Sequence, residues 1–161
     1  MLSIFATGGT IDKVYFDAKS EFQVGDPQSQ PILEEAGINI DYRIESLLRK
    51  DSLDLTDQDR ELICEKVSAE RAQHIIITHG TDGMVATAKA LAQVSIDHKT
   101  IVLVGAMQPA RMRYSDANFN LGFAIAAVQL LNPGIYIAMN GQVFEHNKVV
   151  KNVAASRFES L

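Results

Sequence analysis

Short β-branched runs alternate with helix-forming stretches along this chain, and that alternation restricts the fold more than any other feature. Leu2 to Ala6 is an apolar run stopped by Gly8-Gly9, Ile75-Ile76-Ile77 is a second, Ile101 to Val104 a third and Ile135 to Met139 a fourth. Uninterrupted apolar runs of this length suit strands covered on both faces. With helices between them they predict β-α-β crossovers and a mostly parallel central sheet, a three-layer α/β/α architecture. The 161 residues predict one domain over 1–161. A chain of that size buries roughly 70% of its unfolded surface.

Between the runs the pattern is finer. Residues 12–26 are mixed polar and aromatic and end in Gly25-Asp26-Pro27, which predicts a hairpin or mobile loop. Pro31 to Ala36 predicts a short helix stopped at Gly37, and the alternating Ile38, Ile40, Tyr42 and Ile44 predict a half-buried strand. Thr56 is placed to cap a helix whose inward face is Leu62, Ile63 and Val67. Further helices are expected from about Asp82 to Val94 and from Asp116 to Leu131. Asn140-Gly141 marks a turn, with a short hairpin running through Val150.

Composition removes several classes of function. The formal net charge is −5, against the basic face that nucleic-acid binding requires. No apolar stretch approaches the roughly 18 residues of a membrane span, and the N-terminus lacks the charged region of a signal peptide. One cysteine, Cys64, permits no internal disulfide and fits a reducing compartment. The expectation is a cytoplasmic protein that engages neither nucleic acid nor membrane.

Parallel sheets bind ligands beyond the carboxyl ends of their strands. Three segments lie there: Thr7-Gly8-Gly9-Thr10, Thr78-His79-Gly80-Thr81-Asp82-Gly83 and Gly105-Ala106-Met107-Gln108-Pro109. Paired glycines let backbone approach a ligand closely and leave the Thr10 hydroxyl at the strand exit. They equally suit a plain strand-ending turn. They form no G-x-G-x-x-G or G-K-[ST] nucleotide loop. Thr81 is a candidate nucleophile and Asp82 a candidate partner for an ammonium group, while either also suits a helix cap. His79 reads as a hydrogen-bonded turn residue. The four histidines have no metal-ligand spacing, so no metal site is expected. A threonine nucleophile needs a base; among the lysines, Lys151 follows Val149-Val150 where a returning segment could reach the sheet edge, while it also suits a solvated surface charge.

Together, Ala6-Thr7-Gly8-Gly9-Thr10-Ile11 and Ile77-Thr78-His79-Gly80-Thr81-Asp82-Gly83-Met84 resemble the two signature motifs of the bacterial-type L-asparaginases. Val104-Gly105-Ala106-Met107 with Pro109, and Asp116 leading into Phe119-Asn120-Leu121, extend the resemblance. It covers nearly the whole chain but only the family's N-terminal domain. The resemblance implies that Thr10 is the primary nucleophile on a closing loop, and that Thr81, Asp82 and Lys151 form a second cluster. It implies that Ser52 binds the substrate's α-carboxylate and Asp82 its α-ammonium group, with backbone contacts from Gly9, Gly80 and Ala106. The implied reaction is hydrolysis of L-asparagine to L-aspartate and ammonia, with no metal and no organic cofactor.

Three departures from the family pattern stand out. Phe22 occupies the place of a loop tyrosine, Leu53 follows Ser52 where glutamine is common, and the C-terminal family domain is absent from the sequence. They keep two alternatives open: a non-catalytic amino-acid-binding or regulatory module, and an amidase or ammonia-supplying subunit acting on another amide. A domain without its family partner is expected to pair its apolar face with another copy, most simply as a homodimer.

Overall fold

A computed structural model describes residues 1–161. Ten strands and four α-helices follow one another along the chain. They are β1 (Leu2–Gly8), β2 (Lys13–Phe16), β3 (Glu21–Val24), α1 (Ser29–Glu35), β4 (Tyr42–Lys50), α2 (Asp57–Ala69) and β5 (His74–Thr78), then α3 (Met84–Leu91), β6 (Thr100–Val104), α4 (Ala117–Leu130), β7 (Gly134–Met139), β8 (Gln142–Glu145), β9 (Val149–Asn152) and β10 (Arg157–Ser160). Six strands form the central sheet in the order β4-β1-β5-β6-β7-β8. The first five are mutually parallel, and β8 closes the edge antiparallel to β7. The expected α/β class with a mostly parallel sheet is what forms.

The unbroken apolar runs lie at the sheet centre. Ile4, Ile75, Ile76, Ile77, Ile101, Val102, Leu103 and Val104 are all fully buried, so neighbouring side chains on opposite sheet faces are both covered. Truncating one of these isoleucines to alanine costs about 2–5 kcal/mol, the lost transfer energy plus the cavity. At the amino ends of the strands, Glu70 ties three segments together. Its carboxylate accepts from Ser3 Oγ at 2.9 Å, from the Ala72 N–H at 2.8 Å and from the Arg43 guanidinium. Burial opposes its charge, but these donors outweigh burial and hold it down at about 2.

Several boundaries differ from the sequence reading. The strand expected over Ile38–Ile44 begins at Tyr42 and runs on to Lys50. Its only neighbour, β1, starts at Leu2 opposite Tyr42, so Ile38 and Ile40 have no strand to pair with and pack against the core instead. The helix expected from Asp82 begins at Met84 and ends at Leu91. The hairpin expected through Val150 is two hairpins. Asn140 and Gly141, with φ of 56° and 71°, turn β7 into β8, as type I′ turns require. β9 then pairs with β10. Leu62 is half-buried, whereas Ile63 and Val67 are fully buried. The Thr56 cap forms as a complete capping box with Asp59.

Candidate active site

The carboxyl ends of β1, β5 and β6 carry three loops that touch through glycine backbone. Gly8 and Gly9 have φ of 100° and 83°, a region that side chains rarely enter. A Cβ on Gly9 would lie 2.4 Å from the Cα of Gly80. A Cβ on Gly80 would lie 2.5 Å from the Ser52 side chain, and one on Gly105 would lie 2.3 Å from the His79 carbonyl oxygen. The glycines thus set the spacing: the Thr10 loop, the 78–83 loop, Ser52 and the Gly105-Ala106 loop are in contact only because Gly9, Gly80 and Gly105 have no Cβ. Thr10 and Thr81 consequently share one edge of the sheet, since β1 and β5 are parallel neighbours with Ala6 opposite Thr78.

Lys151 arrives from 70 residues downstream. Its Nζ donates to Thr81 Oγ1 at 2.8 Å and to Asp82 Oδ1 at 2.5 Å. The hairpin that carries it is anchored by buried Val149 and by Phe158, which stands opposite Lys151 in the β9–β10 register. The Phe158 N–H donates to Asn140 Oδ1 at 2.8 Å, fastening this hairpin to the β7–β8 turn. The lysine side chain is 13% exposed and the aspartate 37%. Neither Thr81 nor Asp82 caps α3. The N-cap is Gly83, with no side-chain hydrogen bond. Starting the helix after a turn leaves Asp82 free to face Lys151.

Ser52 is buried, and its Oγ accepts from the Gly83 N–H at 2.9 Å. Its own proton remains available to an acceptor. His79 is a fully buried turn residue, as expected. One ring nitrogen, Nδ1, lies 2.7 Å from the Gly80 carbonyl oxygen, which can only accept, so Nδ1 carries the proton. Nε2 then accepts from Thr87 Oγ1 at 2.8 Å. Burial is the main cause that lowers His79 to about 4, so it braces the loop as a neutral ring.

Two carboxylates that shape the site were not singled out as site residues. Asp116 accepts from the Met107 N–H at 2.9 Å and the Gln108 N–H at 3.1 Å, while Asn120 Nδ2 donates to Asp116 and to the Gly105 carbonyl. This fixes the loop around Ala106, itself buried against Ile11 and Ala117. Asp12 lies two residues beyond Thr10 and is buried. The segment after it is the β2–β3 hairpin, where Tyr15 and Phe22 meet edge to face at 5.5 Å. Lys13, on the same hairpin face, donates to Asp51 at 2.9 Å, directly before Ser52.

All eight residues expected at the site lie on these contacting segments. Direct side-chain bonds join Thr81, Asp82 and Lys151. Gly9, Gly80 and Ser52 meet by packing. Thr10 is half-buried beside them, and Ala106 sits on the Gly105 loop.

The family model for the asparaginase N-terminal domain matches residues 1–161. The chain belongs to the asparaginase family. Within that family it is 32% identical over 166 residues to the glutaminase-asparaginase of Acinetobacter glutaminasificans, covering 93% of this chain and 49% of that protein. The thermostable L-asparaginase from Thermococcus kodakarensis superposes with a TM-score of 0.84 at 29% identity, over 99% of this chain and 51% of that one. A probable cytoplasmic L-asparaginase from Campylobacter jejuni superposes equally, with a TM-score of 0.84 at 29% identity over 99% and 52%. The chain spans about half the length of these asparaginases.

Proposed function

We propose that this chain hydrolyses the side-chain amide of L-asparagine to L-aspartate and ammonia through a threonyl ester. The observation that carries the reading is Lys151, bonded at once to Thr81 and Asp82 beside the Gly9–Gly80 contact. A helix cap or a plain turn has no use for a lysine held there.

Thr10 Oγ attacks the amide carbon. Its proton passes to the amide nitrogen, the C–N bond breaks and ammonia leaves. Water then adds to the ester carbon and returns a proton to Thr10 Oγ as the ester bond breaks. Thr81, Asp82 and Lys151 carry protons for these steps. Because Lys151 donates to Thr81 Oγ1, the threonine's own proton is left to point at a substrate. Ser52 donates to the α-carboxylate and Asp82 accepts from the α-ammonium. Backbone at Gly9, Gly80 and Ala106 forms the walls around the amide. The β2–β3 hairpin acts as the lid.

Trapping tests this reading. Asparagine with hydroxylamine should give the aspartyl hydroxamate, because the ester is open to a second nucleophile. Ammonia release without hydroxamate would speak for direct attack by water.

We further place the protein in the cytoplasm, supported by its buried free thiol at Cys64. We also propose a homodimer, supported by the exposed Tyr114, Phe119 and Leu130. No helix is long and apolar enough to cross a membrane.

A further inference from the structure

Asp12 occupies the base of the hairpin that follows Thr10. It is 1% exposed, and its N–H, its carbonyl and one carboxylate oxygen are each hydrogen-bonded. Its N–H donates to the Gly9 carbonyl at 3.1 Å, and its own carbonyl accepts from the Gly25 N–H at 2.9 Å. Its Oδ1 accepts from the Gln28 N–H at 2.8 Å. Gln28 in turn accepts from Arg111 Nε at 2.8 Å, and the Ala110 N–H donates to the Ile11 carbonyl at 3.2 Å. The backbone of Asp12 therefore joins the glycine turn before Thr10 to the far end of the hairpin, and its carboxylate adds Gln28, which Arg111 ties to the loop that follows Ala106.

We propose that Asp12 is a positioning residue, the seat that holds the β2–β3 hairpin closed behind Thr10. The catalytic consequence rests on the asparaginase reading above; the mechanical one does not.

The surroundings make the seat sensitive to pH. Arg49 of β4 is the cation whose field reaches Asp12, and it is paired to Asp26 at 2.6 Å. Lys13, next in the chain, is taken by Asp51, and Arg111 reaches Gln28. Burial dominates, and despite the Gln28 N–H and Arg49 it raises Asp12 from 3.8 to about 7. An opened hairpin would return Asp12 to water and to an ordinary carboxylate value. The open form thus ionises first, and rising pH through about 7 favours opening.

Amide hydrogen exchange on the intact chain decides this without reference to turnover. In the wild type, protection of the Gly25 and Gln28 amides, corrected for intrinsic exchange, should fall about tenfold per pH unit as pH approaches 7 from below. Asp12→Asn keeps an acceptor that never ionises, so protection should be nearly constant with pH and exceed wild type at pH 8. Asp12→Ala removes the acceptor and should lose protection at every pH while β5 and β6 stay protected. Unchanged protection of Gln28 in Asp12→Ala would overturn the proposal, as would a wild-type pH dependence in Asp12→Asn. In an active enzyme, the pH profile of kcat/KM should lose a titration near 7 in Asp12→Asn. Absence of turnover in the wild type would defeat the asparaginase reading and leave the exchange result standing.

Discussion

Lys151 Nζ reaches Thr81 Oγ1 at 2.8 Å across 70 residues of sequence, and this bond ties the C-terminal hairpin to the loop after β5. It is partly buried, so losing the amine leaves both Thr81 and Asp82 without the partner around which the turn is arranged. Lys151→Met should lower kcat by about 10²–10⁴-fold with a smaller change in KM, the range for loss of a proton carrier. The Lys151→Met, Thr81→Ala double variant should be little worse than either alone, because groups acting as one unit are non-additive. Steady-state kinetics with folding checked by circular dichroism reads this. Fully multiplicative losses would separate the two residues.

Ser52→Ala should act differently. A hydroxyl that donates to a substrate carboxylate contributes about 1.5–3 kcal/mol to binding, so KM should rise while kcat changes little. The same variant strips the Gly83 N–H of its acceptor and should lower stability by about 1–3 kcal/mol. Equilibrium urea unfolding measures the second effect independently of substrate. A variant as stable as wild type would show that the Gly83 bond is made elsewhere.

Gly9→Ala tests the glycine contact. The methyl group would meet Gly80 backbone at 2.4 Å, at a φ of 83° that alanine resists. Neither backbone has a flexible end that can yield. A stability loss above about 2 kcal/mol, with loss of activity even where the protein folds, is the expected result.

Two buried groups should leave opposite marks on the pH dependence of stability. Asp12, raised to about 7, contributes stability that is present below its ordinary 3.8 and lost as pH rises through 7. His79, lowered from 6.5 to about 4, contributes stability that is present above 6.5 and lost as pH falls through 4. Between about pH 4.5 and 6.5 the two slopes cancel, while the lowered carboxylate of Glu70 matters only at more acid pH. Asp12→Asn should therefore unmask a stability that rises by about 2 kcal/mol from pH 4.5 to 6.5. His79→Gln, less stable throughout, should show the reverse slope. Urea midpoints across this range would refute the account if both variants stayed flat.

The sheet was legible because its central strands are continuous apolar runs, a pattern set by burial on both faces. Strand ends were less so. Tyr42 begins β4 because β1 begins at Leu2, and no local pattern near Ile38 or Ile40 carries that pairing. The start of α3 has a local cause as well. Residues 81–83 are poor helix formers, Gly83 most of all, and packing against Ser52 and the bond to Lys151 hold them in a turn, so the helix does not extend to Asp82. In the site, the glycine motifs announced close backbone approach. Lys151 was a candidate base from its place after Val149-Val150, but only the family resemblance joined it to Thr81 and Asp82, since a lone lysine there equally suits a surface charge. Asp12 gave no warning, because its carboxylate's partner, the Gln28 N–H, lies 16 residues further along the chain. An aspartate after Thr10-Ile11 is otherwise an ordinary polar residue opening a loop.

Ammonia release from L-asparagine by the wild-type chain and by Thr10→Ala tests the central claim most directly. The account predicts measurable turnover in the wild type and a fall of at least about 10²-fold in kcat for Thr10→Ala, with aspartate binding largely retained. Near-normal turnover in Thr10→Ala, or a wild-type chain that binds aspartate and releases no ammonia, would contradict it.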